Sequence, residues 1–132
     1  MNNLKGMMRY MLTSMLLLAV LTGHAQMVPK GIIEAFEKGD AKQLATYFHD
    51  NLEMQILKED YVTSKNQAAR IMQDFFKKNH PLSFKLEYDG TRQDTKYSLG
   101  TLVTRKGTFN VNLYFLDGRK EKIIYSLTIE KN

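Results

Sequence analysis

Between residues 82 and 129 the chain carries four successive runs in which apolar and polar residues alternate, and this feature most constrains its fold. A side-chain period of two is typical of a strand with one face buried. The residues expected to face inward are Leu82, Phe84, Leu86 and Tyr88; Tyr97, Leu99, Thr101 and Val103; Phe109, Val111, Leu113 and Phe115; and Ile123, Tyr125, Leu127 and Ile129. The turn dipeptides between the runs are Asp89-Gly90, Lys106-Gly107 and Asp117-Gly118. The sequence therefore predicts an antiparallel meander with one apolar face.

Helical signals precede the meander. A first helix begins near Pro29 and ends at Gly39, which suits a left-handed cap. Asp40 then begins a second helix as the first residue of a capping box. The apolar stripe predicted for this helix is Leu44, Tyr47 and Phe48. The alternation from Leu52 to Leu57 predicts a further strand, with a turn at 58–60.

A longer helix follows, and its start and stop are both marked. Ser64 with Gln67 forms a second capping box, and Pro81 prevents continuation beyond about Asn79. The order helix, helix, strand, helix and four strands predicts an α+β fold, in which the N-terminal helices pack in a curved antiparallel sheet shaped as a roll or cone. Gly100, inside a strand pattern, predicts a bulge or bend that helps to curve this sheet.

The first 25 residues are predicted to be a signal peptide. Lys5 and Arg9 precede an apolar run from Met11 to Leu21, and Gly23-His24-Ala25 places small residues at a cleavage site. The alternative is a membrane anchor, but the run is shorter than the roughly 20 residues that a span needs. We expect a single domain over 26–132 that is exported, either periplasmic or secreted, with no membrane span after cleavage. The chain has no Cys, so packing alone must stabilise it.

Two sets of motifs resemble known proteins. The segment 35–40, with Leu44 and Tyr47-Phe48 before a strand, resembles the opening of the nuclear-transport-factor-2-like (cystatin-like) superfamily. Further segments are similar to a family of small exported bacterial proteins known only as a domain of unknown function: 61–68, 74–76, His80-Pro81 with Ser83-Phe84, and 97–102. The resemblance implies the cone-shaped fold and export, and it implies no activity, because fold alone does not determine function.

The residues expected inside the cone carry no group that is charged at neutral pH, so no catalytic residue is predicted and the protein is expected not to be an enzyme. His49 and His80 fall at predicted helix ends. Neither metal-ligand spacing nor a phosphate-binding glycine loop is present, so no metal and no cofactor are predicted. The formal net charge of +5 comes from cations scattered among acids, which argues against nucleic-acid binding.

The aromatic residues leave room for a binding function. We expect an apolar pocket at the mouth of the cone, bordered by Tyr47, Phe76, Tyr88, Tyr97 and Tyr125. Strand parity also places Leu102, Tyr114 and Ile124 on the outer sheet face, where they could form a homodimer interface. The favoured hypothesis is a non-enzymatic exported domain that binds a small apolar ligand or a protein partner. A structural dimerisation module and an enzyme of unknown reaction are the alternatives.

Overall fold

The computed structural model describes Gly6, residues 28–116 and residues 121–132. Over residues 28–132 its helices are α1 (Lys30–Lys38), α2 (Ala41–Ala45) and α3 (Lys65–Lys78). Its strands are β1 (Phe48–Ile56), β2 (Glu59–Thr63), β3 (Pro81–Arg92), β4 (Thr95–Thr104), β5 (Gly107–Phe115) and β6 (Ile124–Lys131). They form one six-stranded sheet in the order β2-β1-β6-β5-β4-β3. No helix within the described residues is long and apolar enough to cross a membrane.

The helix boundaries follow the predicted caps. Gly39 ends α1 in the left-handed conformation. The Asp40 carboxylate accepts a hydrogen bond from the Gln43 backbone N–H at 3.0 Å, and the Ser64 hydroxyl accepts one from the Gln67 N–H at 3.3 Å. Helix α2, however, stops at Ala45, so the prediction that it continues through Tyr47 and Phe48 is wrong. Phe48 is instead the first residue of β1.

The sheet, predicted as antiparallel, is mixed. β1 runs parallel to β6, and every other neighbouring pair is antiparallel. The sequence analysis also missed β2, because Glu59 and Asp60 resemble turn residues. Pairing with β1 draws them into a strand, in which Met54 lies opposite Tyr61. The meander itself is confirmed, since β3 to β6 are successive neighbours.

The core lies between the helices and one face of the sheet, the covered face. Phe36 of α1 is fully buried, and its ring stacks on Phe84 of β3 with centroids 4.7 Å apart. Phe75 of α3 meets Phe109 of β5 edge to face at 5.3 Å. The four alternating residues of β5 are all buried as predicted: Phe109, Val111, Leu113 and Phe115. Aromatic contacts thus join α1 and α3 to the sheet, in geometries that such rings prefer.

In three strands, the residues that face inward differ from the predicted ones. β3 carries a register shift between Leu86 and Tyr88, which moves Tyr88 to the outer face. In β4 the buried positions are 98, 100, 102 and 104 rather than 97, 99, 101 and 103. In β6 Ile124 is buried instead of Ile123, and a register shift follows it. Side chains expected inside the cone therefore lie on the outer face.

Turns explain part of this difference. Asp89-Gly90, predicted as a turn, lies inside β3, and the β3–β4 hairpin turns at Gln93 and Asp94 instead. Both of these residues have positive φ, of 51° and 63°, as a two-residue type I′ hairpin turn requires. The predicted signal peptide, Gly6 apart, and the Asp117-Gly118 turn lie outside the described residues.

Gly100 lies next to the β3 register shift, opposite Leu86. A Cβ atom at Gly100 would overlap the ring of Phe84, with Cζ and Cε2 the nearest atoms. The glycine therefore gives the Phe84 ring the room to stack on Phe36.

Candidate ligand-binding cleft

A cleft of about 750 Å³ opens between α3, the β1–β2 hairpin and the end of β6. This volume is in the range of small-molecule sites, roughly 300–1,000 Å³. The lining residues are Ile56, Leu57, Lys58, Glu59, Tyr61, Ile71, Asp74, Phe75, Lys78, Asn79, Glu130 and Lys131. The cleft therefore draws on three parts of the chain that are far apart in sequence.

The floor of the cleft is apolar. Ile56 and Phe75 are buried, and Tyr61 and Ile71 pack against the core while remaining partly exposed. The hairpin that forms one wall is held to β6, because the Leu57 N–H donates to the Ile129 carbonyl at 2.8 Å. The sheet thus fixes the position of this wall, and the floor offers apolar surface to a ligand.

The rim of the cleft is polar. The Tyr61 hydroxyl donates a hydrogen bond to the Glu59 carboxylate. This bond raises the pKa of Tyr61, and burial and the negative charges of Glu59 and Asp74 add to the effect. Asp74 also forms an ion pair with Lys78, one helical turn later, at 3.0 Å. Since both partners of this pair are well exposed, it contributes little to stability.

A second hollow of about 550 Å³ adjoins the cleft along α3. The two share Tyr61, Ile71 and Asp74 as lining residues. The second hollow is otherwise polar, with Ser64, Asn66, Gln67 and Arg70. A ligand longer than the cleft could therefore extend along the helix toward its N-terminus.

The lining of the cleft combines apolar and polar groups. An apolar floor favours burial of a hydrocarbon or aromatic group, and the surrounding amide, phenol and charged groups can orient a polar end. Within residues 28–116 and 121–132, no three His, Asp or Glu side chains are grouped closely enough to hold a metal ion.

The structure does not bring the five predicted pocket residues together. Phe76 is buried in the core, with its ring centroid 6.0 Å from that of Phe36 and 5.9 Å from that of Phe75. Tyr47 is half-buried, with its ring beside Gly31 in a hollow that Lys65 at the start of α3 also lines, whereas the cleft residue Asn79 follows the end of α3. Neither residue lines the cleft.

The other three predicted pocket residues, Tyr88, Tyr97 and Tyr125, lie on the outer face. Their rings form a continuous series with Tyr114. The physical reason is the pair of register shifts in β3 and β6, together with the inverted parity of β4. A one-residue slip exchanges the two faces of a strand for the side chains on one side of it.

The predicted dimer face is corrected in the same way. Leu102 and Ile124 are both 0% exposed and belong to the core, so they cannot contact a second molecule. Tyr114 is on the outer face as predicted, since it pairs with Tyr97 across β4 and β5.

Two polar side chains that meet on the covered face, Ser98 and Asp89, were missed by the sequence analysis. Ser98 is buried, and its hydroxyl donates to the Asp89 carboxylate at 3.1 Å. The β3 bulge turns Asp89 to this face, so the prediction that no ionisable group lies inward is wrong for Asp89. His49, expected at a helix end, lies in β1, and its Nδ1 accepts the Asn51 N–H at 3.2 Å.

The cleft residues also escaped the sequence analysis. Ile71 falls within the longer predicted helix, and Tyr61 in the segment before it. Only the hairpin of β1 and β2, which places Tyr61 opposite Met54, brings these two side chains to one site. A strand prediction for 59–63, from Tyr61, Val62 and Thr63, would have been the signal to find it.

The fold defines a class of protein. A protein of unknown function from Silicibacter pomeroyi described as NTF-2 like is 14% identical, with a TM-score of 0.58 over 78% of this chain and 88% of its own. A cystatin-like domain of unknown function from Nostoc punctiforme is 11% identical, with a TM-score of 0.61 over 78% and 72% of the two chains. The chain thus has the nuclear-transport-factor-2-like, or cystatin-like, fold.

The family is narrower than the fold. Residues 29–130 match the model of the domain of unknown function DUF4783, and the chain belongs to this family. The crystal structure of a DUF4783 family protein from Bacteroides ovatus is 30% identical, with a TM-score of 0.75 over 82% of this chain and 98% of that one. No curated protein matches the chain.

Proposed function

We propose that this DUF4783 protein is an exported, non-enzymatic binding domain, and that the cleft beside α3 holds a small apolar ligand. The observation that carries the proposal is the cleft of about 750 Å³ with its floor of Ile56, Ile71 and Phe75. A site of this size with an apolar floor and a few polar groups at its rim is typical of small-molecule binding.

The polar rim supports a ligand with one polar end. Among the rim groups, Asp74 pairs with Lys78 and Glu59 accepts from Tyr61. These mutual contacts satisfy charges that an apolar ligand could not satisfy. The remaining polar side chains of the lining are Lys58, Asn79, Glu130 and Lys131, and they can meet a polar end without burying it.

A neutral fluorescent probe, N-phenyl-1-naphthylamine, tests the proposal. The chain has no Trp, so probe emission can be followed without background from indole. We expect saturable binding to the native chain, weakened about tenfold or more in Ile71→Asp, because a carboxylate would then replace part of the apolar floor.

Gln73→Asp is the matched control, since it adds the same charge to the exposed side of the same helix and does not line the cleft. Circular dichroism and urea unfolding establish that both variants are folded. If the probe fails to bind the native chain, or binds both variants equally well, the proposed cleft function is wrong.

The exported location is tested separately. Cleavage after Ala25 would give a mature chain that begins at Gln26, and the intact mass of the protein from its native host measures this directly. A native protein that keeps residues 1–25, or that fractionates with the cytoplasm, would contradict export without affecting the cleft proposal.

A further inference from the structure

Four tyrosines form a continuous line across the outer face of the sheet, and we call them the tyrosine row: Tyr88, Tyr97, Tyr114 and Tyr125. They lie on β3, β4, β5 and β6, which are successive neighbours. The ring centroids are 5.2, 6.0 and 6.3 Å apart from one tyrosine to the next, with interplanar angles of 35°, 22° and 50°. All four rings are partly exposed, and Tyr88 is 45% exposed.

Local features of the backbone place the rings in this line. Tyr97 and Tyr114 are direct cross-strand partners, while the register shifts of β3 and β6 bring Tyr88 and Tyr125 to the same face. Gly90 lies opposite Tyr97, and a Cβ atom there would overlap the hydroxyl end of Tyr88. The ring of Tyr88 therefore lies over the glycine, close to the strand.

The surface beside the tyrosine row is polar, and close to the row it is uncharged along β4, β5 and β6. Charged side chains lie at its sides, where Lys85 is opposite Thr101 and Glu53 is opposite Ser126. The next cross-strand line consists of Leu99, Asn112 and Thr128, which pair in register. Ser126 lies opposite Tyr114. The outer positions from 97 to 101, from 110 to 114 and from 125 to 128 are all uncharged: Tyr97, Leu99, Thr101, Asn110, Asn112, Tyr114, Tyr125, Ser126 and Thr128.

This composition selects the chemistry of a ligand. Tyrosine offers a large rigid contact surface at a low entropy cost, and short polar side chains supply adaptable hydrogen bonds. The charges at the sides of this stretch are of both signs, Lys85 and Glu87 on β3 and Glu53 on β1, so the face favours neither an anionic nor a cationic ligand. The row also extends across four strands, so a matching ligand is elongated. The ligand must combine apolar patches with many hydroxyl groups.

We propose that the tyrosine row binds a neutral oligosaccharide chain that lies across the strands. The C–H faces of sugar rings carry partial positive charge and pack on the negative faces of aromatic rings. The sugar hydroxyls can exchange hydrogen bonds with Asn112, Thr128 and the tyrosine hydroxyls. This site lies on the opposite face of the sheet from the core and is independent of the cleft.

A second copy of the chain fits this face less well. Two identical faces pressed together would bury the amides of Asn110 and Asn112 with the neighbouring hydroxyls, and each group left without a partner would cost free energy. Among the outer positions of β4, the only aliphatic side chains that could add apolar area to such an interface are Leu99 and Val103. A hydroxyl-rich ligand supplies partners to the same groups.

Affinity electrophoresis of the full mature chain tests the proposal, with gels that contain one neutral polysaccharide each: xyloglucan, galactomannan, mannan, dextran or hydroxyethyl cellulose. We expect at least one polymer to retard the native protein. The double variant Tyr97→Ala/Tyr114→Ala should weaken this retardation by about tenfold or more, because two rings of the row are lost. Asn112→Ala should weaken it less.

Tyr61→Ala is the control, since it removes a tyrosine from the cleft and leaves the row intact, so its retardation should equal that of the native chain. Urea unfolding checks that each variant folds. Gly90→Ala is a further variant of the row, which shifts the ring of Tyr88 without removing it. The proposal is overturned if none of the polymers retards the protein, or if the double variant is retarded as strongly as the native chain. A sedimentation dimer that the double variant abolishes, without any polymer binding, would assign the face to a second copy instead.

Discussion

The two faces of the sheet use aromatic residues in opposite ways. On the covered face, Phe36, Phe75 and Phe84 are buried and contact other rings from helices and strands. On the outer face, the tyrosine row makes its ring contacts only between neighbouring strands, and each ring keeps part of its surface in solvent. Burial makes the first set a source of stability, whereas partial exposure makes the second set available to a ligand.

The largest expected difference between the faces is in stability. Phe36→Ala should lower the free energy of unfolding by about 3–5 kcal/mol, since it opens a cavity beside Phe84 and Phe76. Tyr114→Ala should cost only about 1 kcal/mol, the order of a cross-strand aromatic pair. Urea unfolding measures both. If Phe36→Ala fails to fold, Phe36→Leu replaces it. Equal losses of unfolding free energy on the two faces would contradict the comparison.

Two glycines give a sharper version of the same contrast, because each lies beneath an aromatic ring. Gly100→Ala should destabilise the protein by about 1–3 kcal/mol, since Phe84 is packed against Phe36 and cannot move away. Gly90→Ala should change stability by no more than about 0.5 kcal/mol, because the exposed ring of Tyr88 can rotate into solvent. The thermal midpoints of both variants test this order. A larger loss of stability in Gly90→Ala than in Gly100→Ala would contradict it.

Hydrogen bonds on the two faces should show a smaller difference in their contribution to the free energy of unfolding. Ser98→Ala removes the buried hydroxyl that donates to Asp89 and should cost about 1 kcal/mol. Thr101→Ala removes a donor to Glu87 on the outer face at 3.3 Å, and water can replace it, so we expect a loss within about 0.5 kcal/mol. A denaturation series at one pH measures both, and a larger loss for Thr101→Ala would show that the outer face is less hydrated than its exposure indicates.

The smallest expected effect is at the rim of the cleft. Glu59→Gln removes the charged acceptor that raises the pKa of Tyr61, so that pKa should fall. Any stability from this hydrogen bond is present below the ordinary tyrosine pKa and is lost as the pH rises through the raised value. Phenolate absorbance during alkaline titration measures the change. Glu53→Gln, in β1, is the control and should leave the titration as it is in the native chain.

The contrast between the faces also explains what the sequence could predict. β5 was assigned correctly because its alternation is uninterrupted from Phe109 to Phe115. The caps at Asp40 and Ser64 were correct because they depend on residues within three positions of each other. For the same reason, the sequence predicted the N-terminal helices, the four-stranded meander and the fold class, since local patterns encode them.

The faces of β3, β4 and β6 depend on contacts that are distant in sequence. In β4, Leu99 and Val103 are outward while Ser98 and Gly100 are inward, and Leu102 is the one large residue of this strand that is buried. Positions 98 and 100 are small partly because the Phe84 ring occupies the space beside Gly100. Hydrophobicity alone therefore gave the wrong parity. The cleft could not be predicted either, because it forms only where β2 pairs with β1 beside α3.

The parallel pairing of β1 with β6 has a consequence for the order of folding. In the strand order, β6 lies between β1 and β5, so it joins the β1–β2 hairpin to the rest of the meander. Residues 48–56 can pair with β2 early, but they cannot pair with β6 until residues 124–131 have been synthesised. Contacts so distant in sequence slow folding, because a long loop must close before they form. The sheet therefore stays divided in a partly made chain, and closes only when the domain is complete.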